Sequence, residues 1–308
     1  MNGTAFVTGA GGFVGARMAS YCEALGLQTV RIGHRAKAGK ISDGVFFDAD
    51  IGLKSLESAA NRYGAPSVLY HCAGGASVRL AIKNPAEDFR RNVQILSEVL
   101  EFSRRLIPRI RVVVLSSAAV YGDVGKGGPK REDIPLAPLS PYGLHKCLAE
   151  DMCRFYAAYW KLPIAVIRFF SLYGEGLRKQ LLWDACKKLY GDAFIFEGTG
   201  NEERDWLHVE DAVRLIALAG EHASSLCPIV NGGSGAARSV RSVLEALGAL
   251  HDPAVLPRFS GRERSGDPYS LVADVQRIRT WGFSPKVDFM VGLKSYWDWF
   301  EREVGTAC

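Results

Sequence analysis

The first 170 residues alternate short apolar segments with amphipathic ones, and this alternation constrains the fold more than any other feature of the sequence. The predicted strands are TAFVTG, QTVRIG, SVLYHCAG, RVVVLSSAAVYG and PIAVIRFFSLYG. The predicted helices between them include FVGARMASYCEALG, AEDFRRNVQILSEVLEFSRRL and YGLHKCLAEDMCRFYAAYW. Strands and helices that alternate in this way form a parallel sheet with right-handed crossovers. We therefore predict an α/β fold with a Rossmann-type, doubly wound parallel sheet.

The regular alternation fades after Tyr173, where loops rich in Gly, Pro and charged residues interleave with shorter helices. A chain of 308 residues, 48% of them hydrophobic, can bury the core of one large domain or of two joined ones. We predict a dinucleotide-binding domain over residues 1–170, with residues 204–232 returning to it. Residues 171–203 and 233–308 would form a smaller α/β substrate-binding lobe.

Composition and charge exclude several classes of protein. The 38 basic and 33 acidic residues give a net charge of +5 that is scattered along the chain, which argues against a nucleic-acid partner. The seven cysteines show no CxxC spacing, so neither a metal site nor a disulfide framework is predicted. Neither a signal peptide nor an apolar run of about 20 residues is present, so we expect a soluble, cytoplasmic protein with no membrane partner.

The stretch TGAGGFVG lies between the first predicted strand and the first predicted helix. Gly9 would permit a tight turn, Gly12 would let a pyrophosphate approach the backbone at the helix N-terminus, and Gly15 would allow close helix–strand packing. Glycine-rich turns also occur in other α/β proteins. The position of this turn at the start of the chain favours dinucleotide binding, with Phe13 and Val14 contributing from the same turn.

Polar residues with catalytic potential occur at the end of a later strand and on the helix that follows. Ser116 and Ser117 lie at the carboxyl edge of the sheet, where ligands bind in such folds. Tyr142 and Lys146 are four residues apart and share one helix face. Because a nearby ammonium favours the phenolate, we expect Lys146 to lower the pKa of Tyr142 toward neutrality. Tyr142 would then exchange a proton with a sugar oxygen that Ser117 also binds; a solvated surface pair is the alternative.

These motifs resemble those of the extended short-chain dehydrogenase/reductases, specifically their nucleotide-sugar epimerase/dehydratase group. The matching segments occur in family order across nearly the whole chain. They are TGAGGFVG, Asp50-Ile51, HCAG at 71–74, Asn92, LSSAAVYG, Tyr142-x-x-x-Lys146, RFFSLYG at 168–174, RDWLHVEDA at 204–212 and RSGDP at 264–268. The resemblance implies an enzyme that acts on a nucleotide-diphosphate sugar with a nicotinamide cofactor. The resemblance also implies a homodimer, because two predicted helices of this chain match the helices that pair subunits in relatives.

The resemblance further implies roles for individual residues. The implied cofactor-binding residues are Asp50 and Ile51 at the adenine, Ala73, Gly74 and Asn92 along the groove, and Lys146 at the nicotinamide ribose. The implied catalytic residues are Ser117, Tyr142 and Lys146. Arg204 and Arg264 would clamp the substrate diphosphate, since guanidinium groups suit phosphate oxygens, with surface salt bridges as the alternative. Ser171 would contact the substrate, at a position where many members have Asn.

Other departures from the family pattern bear on the reaction. Ala118 and Ala119 occupy the positions where the dehydratases place Asp-Glu, so dehydration is not expected. Ala118 also replaces the Cys of members that epimerise C3 or C5, which disfavours that addition. His145 stands beside Lys146 where Ser is common, and because adjacent helical residues face different ways we interpret it as structural. The same interpretation applies to His71, Cys72, Cys147 and His208.

The end of the second strand lacks the acidic residue with which the family's 4-epimerases bind both ribose hydroxyls of NAD. Gly33 takes that place, and His34 and Arg35 follow. Arg35 suits a 2′-phosphate, which a carboxylate would repel, and Arg31 and Lys37 add positive potential. We therefore predict NADP as the cofactor, bound in part by His34 and Arg35, with NAD held through backbone contacts as the alternative.

NADP is consumed stoichiometrically, so it indicates net reduction. The leading hypothesis is an NADPH-dependent reductase of a nucleotide-activated 4-keto, 6-deoxy sugar, in which hydride reaches C4 and Tyr142 protonates the oxygen. The alternative is an NAD-dependent nucleotide-sugar 4-epimerase that uses the same catalytic residues. A non-catalytic NADP sensor is disfavoured because Ser117, Tyr142 and Lys146 are all present. The nucleotide, the sugar and the product stereochemistry are not specified by the sequence.

Overall fold

The computed structural model describes residues 3–34, 44–123, 128–191, 194–262 and 268–305. The strands are β1 (Thr4–Thr8), β2 (Gln28–Gly33), β3 (Val45–Asp48), β4 (Val68–His71), β5 (Arg111–Ser117), β6 (Ile164–Phe169), β7 (Ser171–Tyr173), β8 (Ile195–Phe196), β9 (Glu203–His208), β10 (Ile229–Gly232), β11 (Ala237–Ser239), β12 (Arg258–Phe259) and β13 (Ser270–Leu271). The helices are α1 (Phe13–Ala24), α2 (Leu53–Tyr63), α3 (Val78–Lys83), α4 (Pro85–Phe89), α5 (Ile95–Arg105), α6 (Pro141–Trp160), α7 (Gln180–Leu189), α8 (Val209–His222), α9 (Val240–His251), α10 (Gln276–Thr280) and α11 (Phe289–Gly305). A π-helical turn, Arg90–Gln94, connects α4 to α5, and a 3-10 turn, Ala118–Val120, follows β5.

A seven-stranded parallel sheet in the order β10-β6-β5-β4-β1-β2-β3 forms the centre of the fold. Every residue of β4 and β6 is buried, and burial on both faces explains why these strands read as continuous apolar runs in the sequence. Strand β1 pairs with β2 on one side and with β4 on the other. The strand order therefore reverses at β1, and ligands of such sheets bind in the crevice outside the carboxyl ends at that point. The predicted Rossmann-type α/β fold is confirmed.

Helices cover both faces of this sheet. On one face, Leu56 of α2 and Phe102 of α5 join Phe6 of β1 in the main hydrophobic core, to which α6 also contributes. On the other face, Arg31 of β2 points toward α1 and forms an ion pair with Glu23. The alternation of side chains along β2 thus divides the helices between two layers, as the doubly wound arrangement requires.

The structure differs from the sequence prediction in three places. The sequence does not reveal the edge strand β3, which has only four residues, or the mostly polar helix α2, so SVLYHCAG is the fourth strand and not the third. The helix predicted over 86–106 is interrupted by the π-helical turn. The segment PIAVIRFFSLYG divides into β6 and β7, which belong to different sheets.

The chain divides into two compact units. The first comprises Met1–Gly122, Pro135–Phe169 and Val213–Val230, and the second comprises Asp123–Ile134, Phe170–Ala212 and Asn231–Cys308. In the second unit β9 pairs with β7, β11 and β13 to form a four-stranded sheet. None of the helices in the described ranges combines the length and the apolar character that crossing a membrane requires.

Candidate active site

The glycine turn between β1 and α1 has the tight geometry that its sequence predicts. Gly9 adopts φ +68°, and a Cβ there would lie 2.7 Å from the backbone of Ala73. A Cβ at Gly15 would lie 2.2 Å from the carbonyl oxygen of Gly9. Gly12 is exposed and is the N-cap of α1, and no side chain caps the helix. The first-turn N–H groups of α1 therefore suit an anion such as a pyrophosphate.

Most of the other residues predicted to bind the cofactor surround this turn in the first unit. Phe13 and Val14 are half-buried in the first turn of α1. Ala73 and Gly74 follow β4, and Gly74 adopts φ +147°. A Cβ at Gly74 would lie 2.8 Å from Oδ1 of Asn92, which is buried and finds no hydrogen-bond partner in the part of the chain that the structure describes. The glycine cradle and this unpaired acceptor both fit a bound dinucleotide.

The end of β2 carries an ion cluster that the sequence does not reveal. His34 is exposed, and its Nδ1 lies 3.1 Å from Oδ1 of Asp48 while its Nε2 lies 3.0 Å from Oδ1 of Asp50. These two carboxylates raise the pKa of His34 above its ordinary value, and Asp50 makes the larger contribution. Gly33 adopts φ +132° beside Ile51. The imidazole of His34 thus lies between two carboxylates at the edge of the predicted ribose site, and both favour its protonated form.

The prediction that Arg31 adds positive potential for a 2′-phosphate is wrong. Arg31 is 2% exposed, and its Nη2 donates to Oε2 of Glu23 at 3.0 Å and to Oγ of Ser20 at 3.1 Å. Its guanidinium serves the packing of β2 against α1, because alternate side chains of a strand point to opposite faces. Arg35 and Lys37 lie outside the described residues.

The predicted catalytic residues lie together at the carboxyl end of β5. Ser117 is the last residue of β5, and its hydroxyl is close enough to the phenol of Tyr142 to lower the pKa of that phenol. The Nζ of Lys146 donates to the carbonyl oxygen of Leu115 at 2.9 Å and lies 5.8 Å from the centre of the Tyr142 ring. The first two contacts join α6 to β5 and the third lies within α6, so strand and helix together bring these three side chains to one place.

Local sequence explains why α6 begins beside β5. Ser140 is the N-cap, and its hydroxyl accepts from the backbone N–H of Gly143 at 3.2 Å, while Pro141 occupies the first turn. A Cβ at Gly143 would lie 2.5 Å from the carbonyl oxygen of Ala119. Glycine at this position therefore allows the first turn of α6, which carries Tyr142, to approach the 3-10 turn after β5.

The pKa of Tyr142 differs from the prediction. Burial raises it to about 12, and the nearby hydroxyl of Ser117 only partly opposes that shift. Burial also lowers the pKa of the Lys146 ammonium to about 8, although Asp88 and Glu150 act in the opposite direction. The expectation that Lys146 brings Tyr142 toward neutrality is wrong for these residues by themselves, because removal of both groups from water outweighs their proximity.

A buried polar network behind these residues is missed by the sequence reasoning. Asp88 lies on α4. Its Oδ1 accepts a hydrogen bond from Nδ2 of Asn92 at 3.0 Å, and its Oδ2 lies 2.7 Å from Nδ1 of His145. His145 is buried and packs edge-on against the ring of Phe89. The interpretation of His145 as structural is therefore incomplete, since the ring contacts a carboxylate that acts on Lys146. The i, i+4 spacing of Asp88 and Asn92 is the signal that could have revealed it.

The predicted substrate-binding residues belong to the second unit. Nη1 of Arg204, on β9, donates to the carbonyl oxygens of Glu203 at 2.8 Å and Tyr269 at 3.4 Å. Ser171 is half-buried on β7. Arg264 lies outside the described residues. Within the described ranges, no group of three or more His, Cys, Asp or Glu residues is arranged to hold a metal ion.

Known proteins share both the sequence pattern and the fold. Residues 5–231 match the model of the NAD dependent epimerase/dehydratase family. The UDP-glucose 4-epimerase of Azospirillum brasilense is 29% identical over 98% of this chain and 94% of its own length. The Thermotoga maritima UDP-glucose 4-epimerase with UDP-glucose has a TM-score of 0.89 at 25% identity, covering 99% of this chain and 100% of that chain. The Thermus thermophilus UDP-glucose 4-epimerase in complex with NAD has a TM-score of 0.86 at 26% identity, covering 97% of this chain and 99% of that chain.

Proposed function

Because the chain belongs to the NAD dependent epimerase/dehydratase family, we propose that it is an NAD-dependent 4-epimerase of a nucleotide-diphosphate sugar. The observation that carries this proposal is the placement of Ser117 and Lys146 beside the phenol of Tyr142, at the carboxyl end of β5. The names of the relatives, which include UDP-glucose 4-epimerases, favour a UDP-hexose as the substrate.

Each catalytic side chain has a distinct task in such a reaction. Bound NAD would supply the hydride acceptor and donor for C4 of the sugar. Tyr142 would take the proton of the 4-hydroxyl and return it, and Ser117 would hydrogen-bond the phenol throughout. Because burial raises the pKa of Tyr142, the phenolate requires positive charge close by, which Lys146 and the oxidised nicotinamide both supply. Because Tyr142 and Lys146 are both buried, these electrostatic effects are stronger than they would be in water.

The ion cluster at the end of β2 favours NAD over NADP. Among the described residues at this place, a 2′-phosphate at the adenosine ribose would meet the carboxylates of Asp48 and Asp50 as well as the imidazole of His34. Two ribose hydroxyls can instead donate to those carboxylates. Because Arg31 is held by Glu23, the prediction of a reductase loses one of the cations on which it depends. The relative from Thermus thermophilus binds NAD.

The residues that follow β5 favour epimerisation over dehydration. Ala118 is buried and Ala119 is half-buried in the 3-10 turn directly after Ser117. Neither methyl group can exchange a proton with a substrate. Removal of water from the sugar requires an acid and a base in addition to Tyr142, and these two positions provide neither.

We also propose roles for residues and surfaces that lie further from Tyr142. Arg204 and Arg264 would bind the diphosphate, Ser171 would contact the sugar, and residues 171–203 and 233–308 would form the substrate-binding lobe. A homodimer would form through α6, which exposes Leu144, Leu148, Phe155 and Tyr159 along its length. Exposed apolar side chains spaced in this way on one helix are typical of an interface between subunits.

Incubation of the purified protein with UDP-glucose, without added cofactor, tests the reaction. We expect UDP-galactose to appear, measured by NMR of the anomeric protons. Tyr142→Phe should lower kcat by about 100- to 10,000-fold while NAD binding persists. Tyr63→Phe, which removes the phenol of a residue at the end of α2, is the matched control. If UDP-sugars do not interconvert and a 4-keto sugar is reduced at the expense of NADPH, the enzyme is a reductase instead.

A further inference from the structure

Asp88 connects Asn92 of the π-helical turn to His145 of α6, the catalytic helix that also carries Tyr142 and Lys146. Its Oδ1 accepts from Nδ2 of Asn92 at 3.0 Å, and its main-chain oxygen accepts from the same amide at 3.1 Å. Its Oδ2 lies 2.7 Å from Nδ1 of His145. Asp88, Asn92 and His145 are 6%, 3% and 7% exposed, so the network is almost entirely removed from water. Buried carboxylates rarely lack such partners, because an unpaired charge in the interior is costly.

These contacts fix the orientation of the Asn92 amide. Since Nδ2 donates twice to Asp88, Oδ1 must point away from it. Oδ1 is buried without a hydrogen-bond partner among the described residues, and a Cβ on Gly74 would lie 2.8 Å from it and 3.4 Å from Nζ of Lys146. A buried acceptor without a donor is rare in folded proteins. Its position beside Gly74 and Lys146 indicates that the missing donor belongs to a bound ligand.

The backbone around Asn92 supports this assignment. Residues Arg90–Gln94 form a single π-helical turn between α4 and α5. Such turns are rare and frequently occur at functional sites. Gly75 contributes as well, because a Cβ there would lie 2.4 Å from Oδ1 of Asp88 and 2.8 Å from Nδ2 of Asn92. Glycine at positions 74 and 75 thus leaves room for the side chains of Asp88 and Asn92.

We propose that Asp88 and His145 form a positioning pair that holds the Asn92 amide with its carbonyl oxygen toward the dinucleotide. The ligand group would be an N–H or O–H donor of the cofactor, on the side of the groove that Lys146 also borders. This inference rests on the proposed function in requiring a nicotinamide dinucleotide, but it does not depend on whether the reaction is epimerisation or reduction.

The same carboxylate also sets the electrostatics of the catalytic helix. Asp88 is the strongest of the anions that oppose the lowering of the Lys146 pKa, and it adds to the raised pKa of Tyr142. The other ionisable groups that act on Lys146 are Glu150 and Cys153 of α6, and Lys146 in turn lowers the pKa of His71 at the end of β4. Removing the charge of Asp88 should therefore lower the pKa values of Lys146 and Tyr142 together.

Variants of His145 separate positioning from packing. His145→Asn keeps an N–H donor near the position of Nδ1, whereas His145→Leu fills the space without one. We expect His145→Leu to weaken NAD binding by about 3- to 30-fold, measured as Kd for nucleotide-free protein without sugar, and His145→Asn to retain most of the affinity. Because no sugar is present, this measurement is informative even if the protein does not epimerise UDP-glucose.

Asp88→Asn tests the effect of the Asp88 charge on the pKa of Lys146. We expect the alkaline limb of the pH profile of kcat/KM to move to lower pH, because Lys146 loses the anion that stabilises its charge. Glu87→Gln is the matched control: it removes the neighbouring carboxylate, which is bound to Arg90 and Arg91 at the surface, and should leave the limb in place. If these variants lower the melting temperature while Kd for NAD and the limb stay unchanged, the pair is only structural and the inference is overturned.

Discussion

Arg168 and Glu150 form a fully buried ion pair that joins β6 to α6. Nε of Arg168 donates to Oε1 of Glu150 at 2.9 Å, and Nη2 donates to Oε2 at 2.7 Å. The hydroxyl of Ser116, on β5, donates to the same Oε1 at 2.6 Å, and Nη1 of Arg168 donates to the phenol of Tyr121 at 3.0 Å. Glu150 lies one helical turn after Lys146, so this pair holds the catalytic face of α6 against two strands.

Breaking this ion pair should destabilise the protein strongly. Glu150→Gln leaves the guanidinium of Arg168 buried without its counter-charge, and such changes cost about 3–5 kcal/mol. Asp151→Asn removes a carboxylate from the same helix that pairs with Arg154 at the surface, and should cost no more than about 1 kcal/mol. Urea denaturation monitored by circular dichroism measures both. Equal losses for the two variants would contradict the role assigned to the pair.

The glycines of the first turn should respond to alanine in different ways. Gly12 has φ −91°, and a Cβ there would lie 3.2 Å from the oxygen of Gly9, so Gly12→Ala should fold with little loss of stability. It should nevertheless bind NAD weakly, because the methyl group occupies the approach to the helix N-terminus. Gly15→Ala brings a Cβ within 2.2 Å of a backbone oxygen and should cost about 1–3 kcal/mol or more. Melting temperatures and Kd values for NAD distinguish the two effects; a Gly12→Ala variant with normal affinity would argue against a pyrophosphate at this turn.

Activity should fall in mildly alkaline solution. Burial lowers the pKa of Lys146 to about 8, so its ammonium is lost as the pH rises through that value. The pH profile of kcat/KM, which reports groups of the free enzyme, should show an alkaline limb there. The residual activity of Lys146→Arg should lack this limb, since a guanidinium stays charged. A wild-type profile that remains flat to pH 10 would show that the charge of Lys146 is not required.

The lowered pKa of Lys146 also affects stability. As the pH rises, its contribution to the free energy of unfolding should increase, whereas activity should decrease. The unfolded chain keeps this proton up to the ordinary value of 10.5, whereas the folded chain releases it near 8. Between these values the unfolded state binds more protons, so the contribution of Lys146 to the free energy of unfolding rises with pH. Denaturation curves of wild type and Lys146→Met at pH 7.5 and 9.5 would measure this difference.

Cofactor preference should depend on the carboxylates around His34. Asp48→Asn removes one of the two anions, and we expect NADP binding to strengthen relative to NAD on the order of tenfold. Glu57→Gln, which removes an exposed carboxylate on α2, should change neither affinity. His34 loses its charge as the pH rises, so NADP should bind more weakly at higher pH. Wild-type protein that already binds NADP more tightly than NAD would support the reductase.

The fold and much of the candidate site could be predicted from the sequence. Buried strands such as β4 and β6 give continuous apolar runs, and the glycines between β1 and α1 have a spacing that is typical of a dinucleotide-binding turn. The catalytic face of α6 follows from the i, i+4 spacing of Tyr142 and Lys146. These features are local in sequence, which is why periodicity and spacing reveal them.

The rest depends on contacts between distant parts of the chain. His34 meets Asp48 only because β2 and β3 are neighbours in register, with Gly33 opposite Asp48. His145 meets Asp88 across 57 residues, and burial, with a smaller contribution from Asp88, raises the pKa of Tyr142 far above the value that a nearby lysine suggests. A desolvation effect of this kind is invisible in a sequence, because it depends on which atoms exclude water.

The π-helical turn makes the site sensitive to chain length as well as to side chains. A π turn contains one residue more than the α-helical turn it replaces. Deleting one residue from Arg90–Gln94 would restore a regular helix and rotate α4, with Asp88, by about 100° relative to α5. Such a deletion would separate Asp88 from His145 while both residues remained in the sequence. A relative with every functional side chain but one residue fewer in this turn would therefore have a different site.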